Sequence, residues 1–365
     1  MIKIAQPIIK KEEMQTVEKV LKSGMITQGP MVVEFEKKFA NFCGIKYAVA
    51  VNSGTAALHC ALYAAGINEG DEVITTPFTF VATANSIIMQ RAKPVFVDIL
   101  PDTFNIDPVK IEEKITKKTK AILPVDLYGQ IYDVEAVDKI AKKYKLKIIE
   151  DACQAHGAEF NHRKAGTFGE IGCFSFYATK NMTTGEGGMV VTNNGGYAEL
   201  ARRFRHHGQS EKTRYQYFNL GFNYRMTDIA AAIGIEQLKR IDDFNKKRIK
   251  NAQMLTEGLK NIKGLITPVI KKNYKHVFHQ YTVKVTNEFK ITRDKLSQYL
   301  NEKSIGNSIF YPKPLHLHPY FHKLGYKRGD FPISEKTSKE VLSLPVHPFV
   351  SEENIRFIIK IIKEI

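Results

Sequence analysis

The chain lacks the features that would place it in several large protein classes. No window of its 365 residues approaches the roughly 18 unbroken apolar residues that a membrane helix needs, so no membrane partner is expected. The opening stretch MIKIAQPIIKKEE turns charged too soon for a signal peptide, and the expected location is the cytoplasm. Cysteine is scarce. Cys43, Cys60, Cys153 and Cys173 are widely spread, without CxxC spacing, and each sits beside small or apolar residues. That pattern excludes a disulfide framework or a zinc ribbon and reads as reduced core thiols with no metal ligands.

Nucleic-acid signatures are missing too. The formal net charge of +16 raises the question. Yet the lysines are scattered along helix-period segments such as KIEEKITKKTK, DKIAKKYKLK and FNKKRIKN, with acids interleaved, as on solvated faces. There is no zinc-finger spacing, no RNA-binding aromatic motif and no basic arm, so nucleic acid is not an expected partner. A positive surface also favours small anionic substrates, diphosphates included.

What is present is ordinary globular material, 43% hydrophobic and 25% charged, enough for one large core and a smaller attached unit. The expected division is 1–240 and 241–365. Apolar runs alternate with helix-period segments: YAVAV (47–51), EVITT (72–76), PVFVDI (94–99), AILPV (121–125), KIIED (147–151), CFSFY (173–177) and GMVVT (188–192) read as buried strands. AALHCALYAAG and VEAVDKIAKKY have helical apolar spacing. The expectation is an α/β chain with a mostly parallel seven-stranded sheet covered by helices on both faces, followed by a smaller α+β unit. The last two strands, joined by the short loop that carries Lys180, are the expected exception to parallel order.

Ligands in such sheets bind beyond the strand ends, and three motifs lie there. NSGTAALHCAL places Ser53, Gly54 and Thr55 in a turn into a helix, an anion site by its free amides; alone, a plain N-cap reads as well. IIEDACQAHGA ends a strand on Asp151, a carboxylate that is costly near a core unless it meets positive charge or simply caps the core edge. FSFYATKNMTTGEGGMV puts Ser175 on a strand and Lys180 in a loop made compact by Gly185, Gly187 and Gly188; alone, Lys180 could be a solvated lysine. Together they match pyridoxal 5'-phosphate, with its phosphate, its ring nitrogen that an aspartate keeps protonated, and its aldehyde that a lysine captures as a Schiff base.

These motifs, with SGMITQGPMVVEFEKKFA, GDEVITTPFTFVATANSI, PVFVDI, LYGQ, LGFNYRMTDIAAAIG and YPKPLHLHPYF in the same order, resemble the DegT/StrS family of nucleotide-sugar aminotransferases, of aspartate-aminotransferase-like fold (fold type I). The resemblance implies that Lys180 is the Schiff-base lysine and Asp151 the partner of the ring nitrogen. It implies Gln154 beside the cofactor hydroxyl, Gly54, Thr55 and Ser175 around its phosphate, and Phe80 stacked on its ring, although a phenylalanine beside a strand is also plain core. Asn223 would reach the phosphate from a neighbouring subunit, making a homodimer with shared sites. Tyr224, Arg225, Tyr311, Lys313 and His316 are candidate substrate contacts.

Departures from the family pattern are Ala178 where proline is common before the lysine, Asp126 where histidine is frequent, and Cys153 where alanine is usual. Asp126 is the one expected to bear on substrate preference. The implied activity moves an amino group, by family habit from L-glutamate, to a keto group of a nucleotide-diphosphate sugar, at C4 over C3, in two half-reactions. Alternatives are a scyllo-inosose (cyclitol) aminotransferase and a non-catalytic regulator; a related dehydratase would carry histidine at position 180.

Overall fold

The computed structural model describes every residue except Glu211, Lys212 and Arg214. Its main sheet begins with β1 (Tyr47–Val51), β2 (Glu72–Thr75), β3 (Lys93–Phe96), β4 (Thr119–Ile122) and β5 (Lys147–Asp151). A short hairpin, β6 (Glu159–Phe160) and β7 (Arg163–Lys164), then leads to β8 (Ile171–Ser175) and β9 (Gly188–Thr192). The spatial order is β1-β9-β8-β5-β4-β2-β3, the expected seven strands. Pairs β2/β3, β2/β4, β4/β5 and β5/β8 are parallel, whereas β9 runs against both β8 and β1. The reversal has a simple cause: the Lys180 connection holds no crossover helix to return the chain to a parallel start. The strand read as 173–177 stops at Ser175, because the Tyr177 carbonyl accepts the Lys180 amide (2.9 Å) and closes a turn.

Alternate residues of each strand feed two apolar layers, as the pleat requires. Ala48, Ala50, Ile74, Ile122, Ile148 and Phe174 pack under α2 (Pro30–Cys43), α5 (Val134–Tyr144) and α7 (Asp228–Leu238). Val49, Val51, Val73, Ala121, Ile149 and Cys173 pack under α3 (Gly54–Ala64), α4 (Ala82–Met89) and α6 (Gly195–Arg205). Phe35, Phe39, Phe174 and Phe176 are buried in mutual ring contact, each contributing about 1.5–3 kcal/mol by burial alone.

Two of the quoted motifs are tied to one another here. Asp228, from NYRMTD, accepts the amides of Gly29 (2.8 Å), Val32 (3.0 Å) and Met31 (3.1 Å), and so caps the N-terminus of α2. The buried Arg205 guanidinium joins Glu36 of α2 to the carbonyl of Ala50 in β1.

Beyond α8 (Ile241–Leu259) the chain builds a second sheet, with β10 (Leu265–Ile266), β12 (Tyr281–Val285) and β13 (Val341–Leu344) in that order. It has its own apolar cluster, including Leu255, Tyr281, Val283, Leu342, Ile355 and Ile358. The N-terminal Ile2 bridges to Ile305, and β11 (Tyr274–Lys275) pairs with β6 in a third, separate sheet, β11-β6-β7. Among the described residues no helix is long and apolar enough to cross a membrane.

Candidate active site

The ends of β1, β5 and β8 face one cavity of about 830 Å³, closed on its far side by His279, Gln280, Phe310 and Tyr311 of the second unit. At the β1 end, Ser53 caps α3: its hydroxyl accepts the amide of Ala56 (3.1 Å) and its carbonyl that of Ala57 (3.0 Å). The first-turn amides of Gly54 and Thr55 thus stay without helical partners on the cavity wall, at the positive end of the helix dipole. Gly54 is required sterically. A β-carbon there would lie 2.6 Å from the Ser175 β-carbon, and one on Gly188 would lie 2.3 Å from the Ser53 carbonyl oxygen. These bare positions let the helix start, Ser175 and the glycine turn close around a small anion.

Asp151 stands at the end of β5, 4% exposed. Its Oδ2 accepts the hydroxyl of Thr83 from α4 (2.8 Å) and its Oδ1 the amide of Cys153 (3.2 Å). Both bonds give the buried carboxylate oxygens polar partners, which offsets the cost of placing them beside a core. Gln154 accepts the Tyr128 amide through Oε1 (3.0 Å) and donates through Nε2 to the Tyr311 hydroxyl (3.4 Å). Lys180 is half-buried on the same wall. Desolvation pulls its ammonium pKa below the ordinary value, against smaller raising effects from Cys153 and Asp151. Behind it His156 and His279 are buried and held neutral. The His156 pKa falls to about 3 and that of His279 well below 6.5, in both cases through burial first and then the charge of Lys180.

Phe80 is not a core residue: 57% exposed, it stands on the cavity wall with its centroid 6.5 Å from that of Tyr311. Cys153 also corrects an expectation. The other three cysteines are buried thiols, but Cys153 lines the cavity. Asp126, in contrast, lies off the cavity, fully buried against Glu150.

Asn223 is exposed at the rim, where its carbonyl accepts the Nδ2 of cavity residue Asn52 (3.3 Å). Tyr224 stacks on Phe222 and hydrogen-bonds His59 (3.1 Å), and Arg225 meets His206 (2.7 Å); neither lines the cavity within this chain. Lys313 is exposed in a neighbouring basic groove with His322, Lys327 and Arg328. His316 is turned away altogether. It is fully buried, with Nε2 on Glu335 (3.0 Å) and its ring against Phe331, as a structural histidine would be.

Sequence reasoning missed Thr83, Tyr128, His279 and Phe310. Thr83 lies inside the quoted TFVAT stretch and Tyr128 inside LYGQ, so the motifs marked the segments but not these side chains. Among the described residues no cluster of His, Cys, Asp and Glu has the arrangement of a metal site.

A seven-stranded sheet of this order, with a lysine, an aspartate and an anion cradle converging beyond its strand ends, defines a fold-type-I enzyme of the pyridoxal-phosphate class. Residues 7–363 match the model of the DegT/DnrJ/EryC1/StrS aminotransferase family, and the chain belongs to that family. It is 43% identical to the spore coat polysaccharide biosynthesis protein SpsC of Bacillus subtilis, over 98% of this chain and 95% of the relative. It is 39% identical to GDP-perosamine synthase of Caulobacter vibrioides, over 100% and 98%. The solved structure of DesV from S. venezuelae superposes with a TM-score of 0.93 at 35% identity, over 97% and 94%. The family's cofactor is pyridoxal phosphate, and solved structures of the same fold hold it in PLP and PMP forms. The chain is a pyridoxal-phosphate-dependent aminotransferase.

Proposed function

We propose that this aminotransferase moves an amino group from L-glutamate to the keto carbon of a nucleotide-diphosphate sugar, at C4 in preference to C3. The observation that carries the reading is the convergence of Lys180, Asp151 and the Gly54–Thr55 amides on one cavity. The residues fit the cofactor. The Gly54 and Thr55 amides and the Ser175 hydroxyl suit its phosphate, and Asp151, fixed by Thr83 and Cys153, suits its ring nitrogen. Gln154 suits its ring hydroxyl and Phe80 a face of the ring. When bound, pyridoxal phosphate supplies the electron sink for charge left on the donor carbon.

The remaining chemistry belongs to this chain's own groups. Lys180 Nζ, its proton affinity lowered by desolvation, would accept the proton that leaves the donor carbon and pass it on within the first half-reaction, and would deliver a proton to the acceptor's former keto carbon in the second. Asp151, held by Thr83 and Cys153, orients its partner. His279, Gln280, Phe310 and Tyr311 form the side of the cavity that the second unit supplies.

The same reading includes a homodimer. Asn223 is exposed at the rim, and in this reading it and the adjacent Tyr224 and Arg225 would serve the site of a second copy, which would also cover the exposed Tyr217 and Leu220. Tyr311 and Lys313, on one segment, are the acceptor-side contacts we favour, and the chain divides near residue 240, in keeping with its two separate cores. The preference for C4 over C3 rests on the resemblance of NYRMTD to the 4-keto sugar aminotransferases of the family.

The test is amination of a panel of 4-keto and 3-keto UDP, dTDP and GDP sugars, with scyllo-inosose alongside, using glutamate and the wild type or Lys180→Ala. Product from a nucleotide sugar with wild type alone is expected. Turnover of scyllo-inosose only would replace the acceptor with a cyclitol.

A further inference from the structure

One buried residue outside the cofactor set is hydrogen-bonded to three separate walls of the cavity. Tyr128, in the DLYGQ turn after β4, is 3% exposed and has φ +58°, a left-handed conformation unusual for a bulky residue and held only where its surroundings fix it. Its amide donates to Gln154 Oε1 (3.0 Å) and its carbonyl accepts the Gln280 amide (3.2 Å). Its hydroxyl donates to the Phe310 carbonyl, and Gln154 Nε2 closes the circuit on the Tyr311 hydroxyl (3.4 Å). The next residue continues the clamp, with the Gly129 carbonyl accepting the Val277 amide (3.0 Å). Phe104 packs edge-on at 5.7 Å and fixes the Tyr128 ring.

We propose that Tyr128 is a positioning residue that holds the Phe310–Tyr311 wall against Gln154 and thereby sets the fit of the acceptor sugar. The inference rests on the reading of the cavity as a sugar aminotransferase site. Its backbone bonds serve Gln154 and Gln280; of its hydrogen bonds, the hydroxyl's is the one that reaches the Phe310–Tyr311 segment. Burial pushes the phenol pKa well above 10, so the hydroxyl remains a donor throughout the working range. In that reading Tyr311 is an acceptor-side contact, so the acceptor half-reaction is the one exposed to a shift of that wall.

Tyr128→Phe keeps the ring and both backbone bonds and removes only the hydroxyl. The expected result is an acceptor KM raised about tenfold, with kcat, the donor half-reaction and cofactor affinity each within about threefold of wild type. A second readout needs neither cofactor nor turnover. The chain has no tryptophan, so Phe310→Trp, or Tyr311→Trp should that variant fold better, carries a lone indole on the wall. Adding Tyr128→Phe is expected to shift the indole emission to the red and increase its quenching by acrylamide. An unchanged acceptor KM with unchanged emission overturns the proposal. So does a uniform fall in both half-reactions that merely tracks a lower melting temperature. If wild type aminates no sugar, the functional reading fails, while the indole comparison still decides whether the hydroxyl holds the wall.

Discussion

Gly54 and Ser175 approach so closely that a β-carbon on Gly54 would stand 2.6 Å from the Ser175 β-carbon and 3.0 Å from its hydroxyl oxygen. The contact joins the first turn of α3 to the end of β8, and the anion cradle exists because nothing fills that gap. Gly54→Ala is expected to push the two apart, costing about 1–3 kcal/mol of stability as overpacking does. Affinity for pyridoxal phosphate should fall further than that of a variant equally destabilised elsewhere. Cofactor titration of the variant beside its melting temperature separates the two effects, and unchanged affinity would remove Gly54 from the cradle.

Phe80 gives the opposite signature. A ring 57% exposed on a cavity wall contributes little to the core, so Phe80→Ala should change stability by less than about 1 kcal/mol. Cofactor dissociation should quicken, because the lost contact is with a bound ring and not with protein. Release kinetics against urea unfolding is the comparison. A large stability loss would return Phe80 to the core.

Asp126 and Glu150 are fully buried carboxyl groups side by side. The Asp126 pKa is raised well above its ordinary value, by burial first and then by the Glu150 charge. Burial raises Glu150 as well, against the amides of Gly166 (2.6 Å) and Phe168 (2.9 Å) that its oxygens accept. A carboxyl whose folded pKa is raised contributes stability that is full below its unfolded pKa of about 3.9 and is lost as pH rises through the folded value. Asp126→Asn removes that loss, since the amide resembles the protonated acid. The melting temperature of the variant relative to wild type should therefore climb as pH rises from about 4 to about 8. A gap that does not change with pH over this range would mean that Asp126 is ionised in the fold.

The architecture was legible because strands buried on both faces leave continuous apolar runs, and KIIED and GMVVT match β5 and β9 residue for residue. Lys180 and Asp151 were legible because each sits at a strand end inside a distinctive motif. The supports were not. Thr83 meets Asp151 across 68 residues of chain, and Tyr128 reaches Phe310 across 182, so no local pattern announces either bond. His316 shows the converse: its motif suggested a contact, but burial against Phe331 and Glu335 turned it from the cavity. Phe80 was ambiguous for a related reason, since a sequence places an aromatic beside a strand without saying which way the ring faces.

Lys180 offers a test that does not depend on turnover. Its folded pKa is lowered, chiefly by desolvation, while in the unfolded chain it titrates near about 10.4. Below the folded pKa the cofactor-free protein folds with a poorly hydrated ammonium and bears the whole penalty. Between the two values the unfolded chain binds the extra proton, so stability rises with pH, and above about 10.4 the penalty is gone. Lys180→Met carries no such charge. Without cofactor, the variant should be more stable than wild type by its widest margin at low pH, and the margin should shrink steadily toward pH 10. Melting curves across that range check this. A margin independent of pH would mean that Lys180 is hydrated in the fold, and its role as the proton-carrying amine would lose its physical basis.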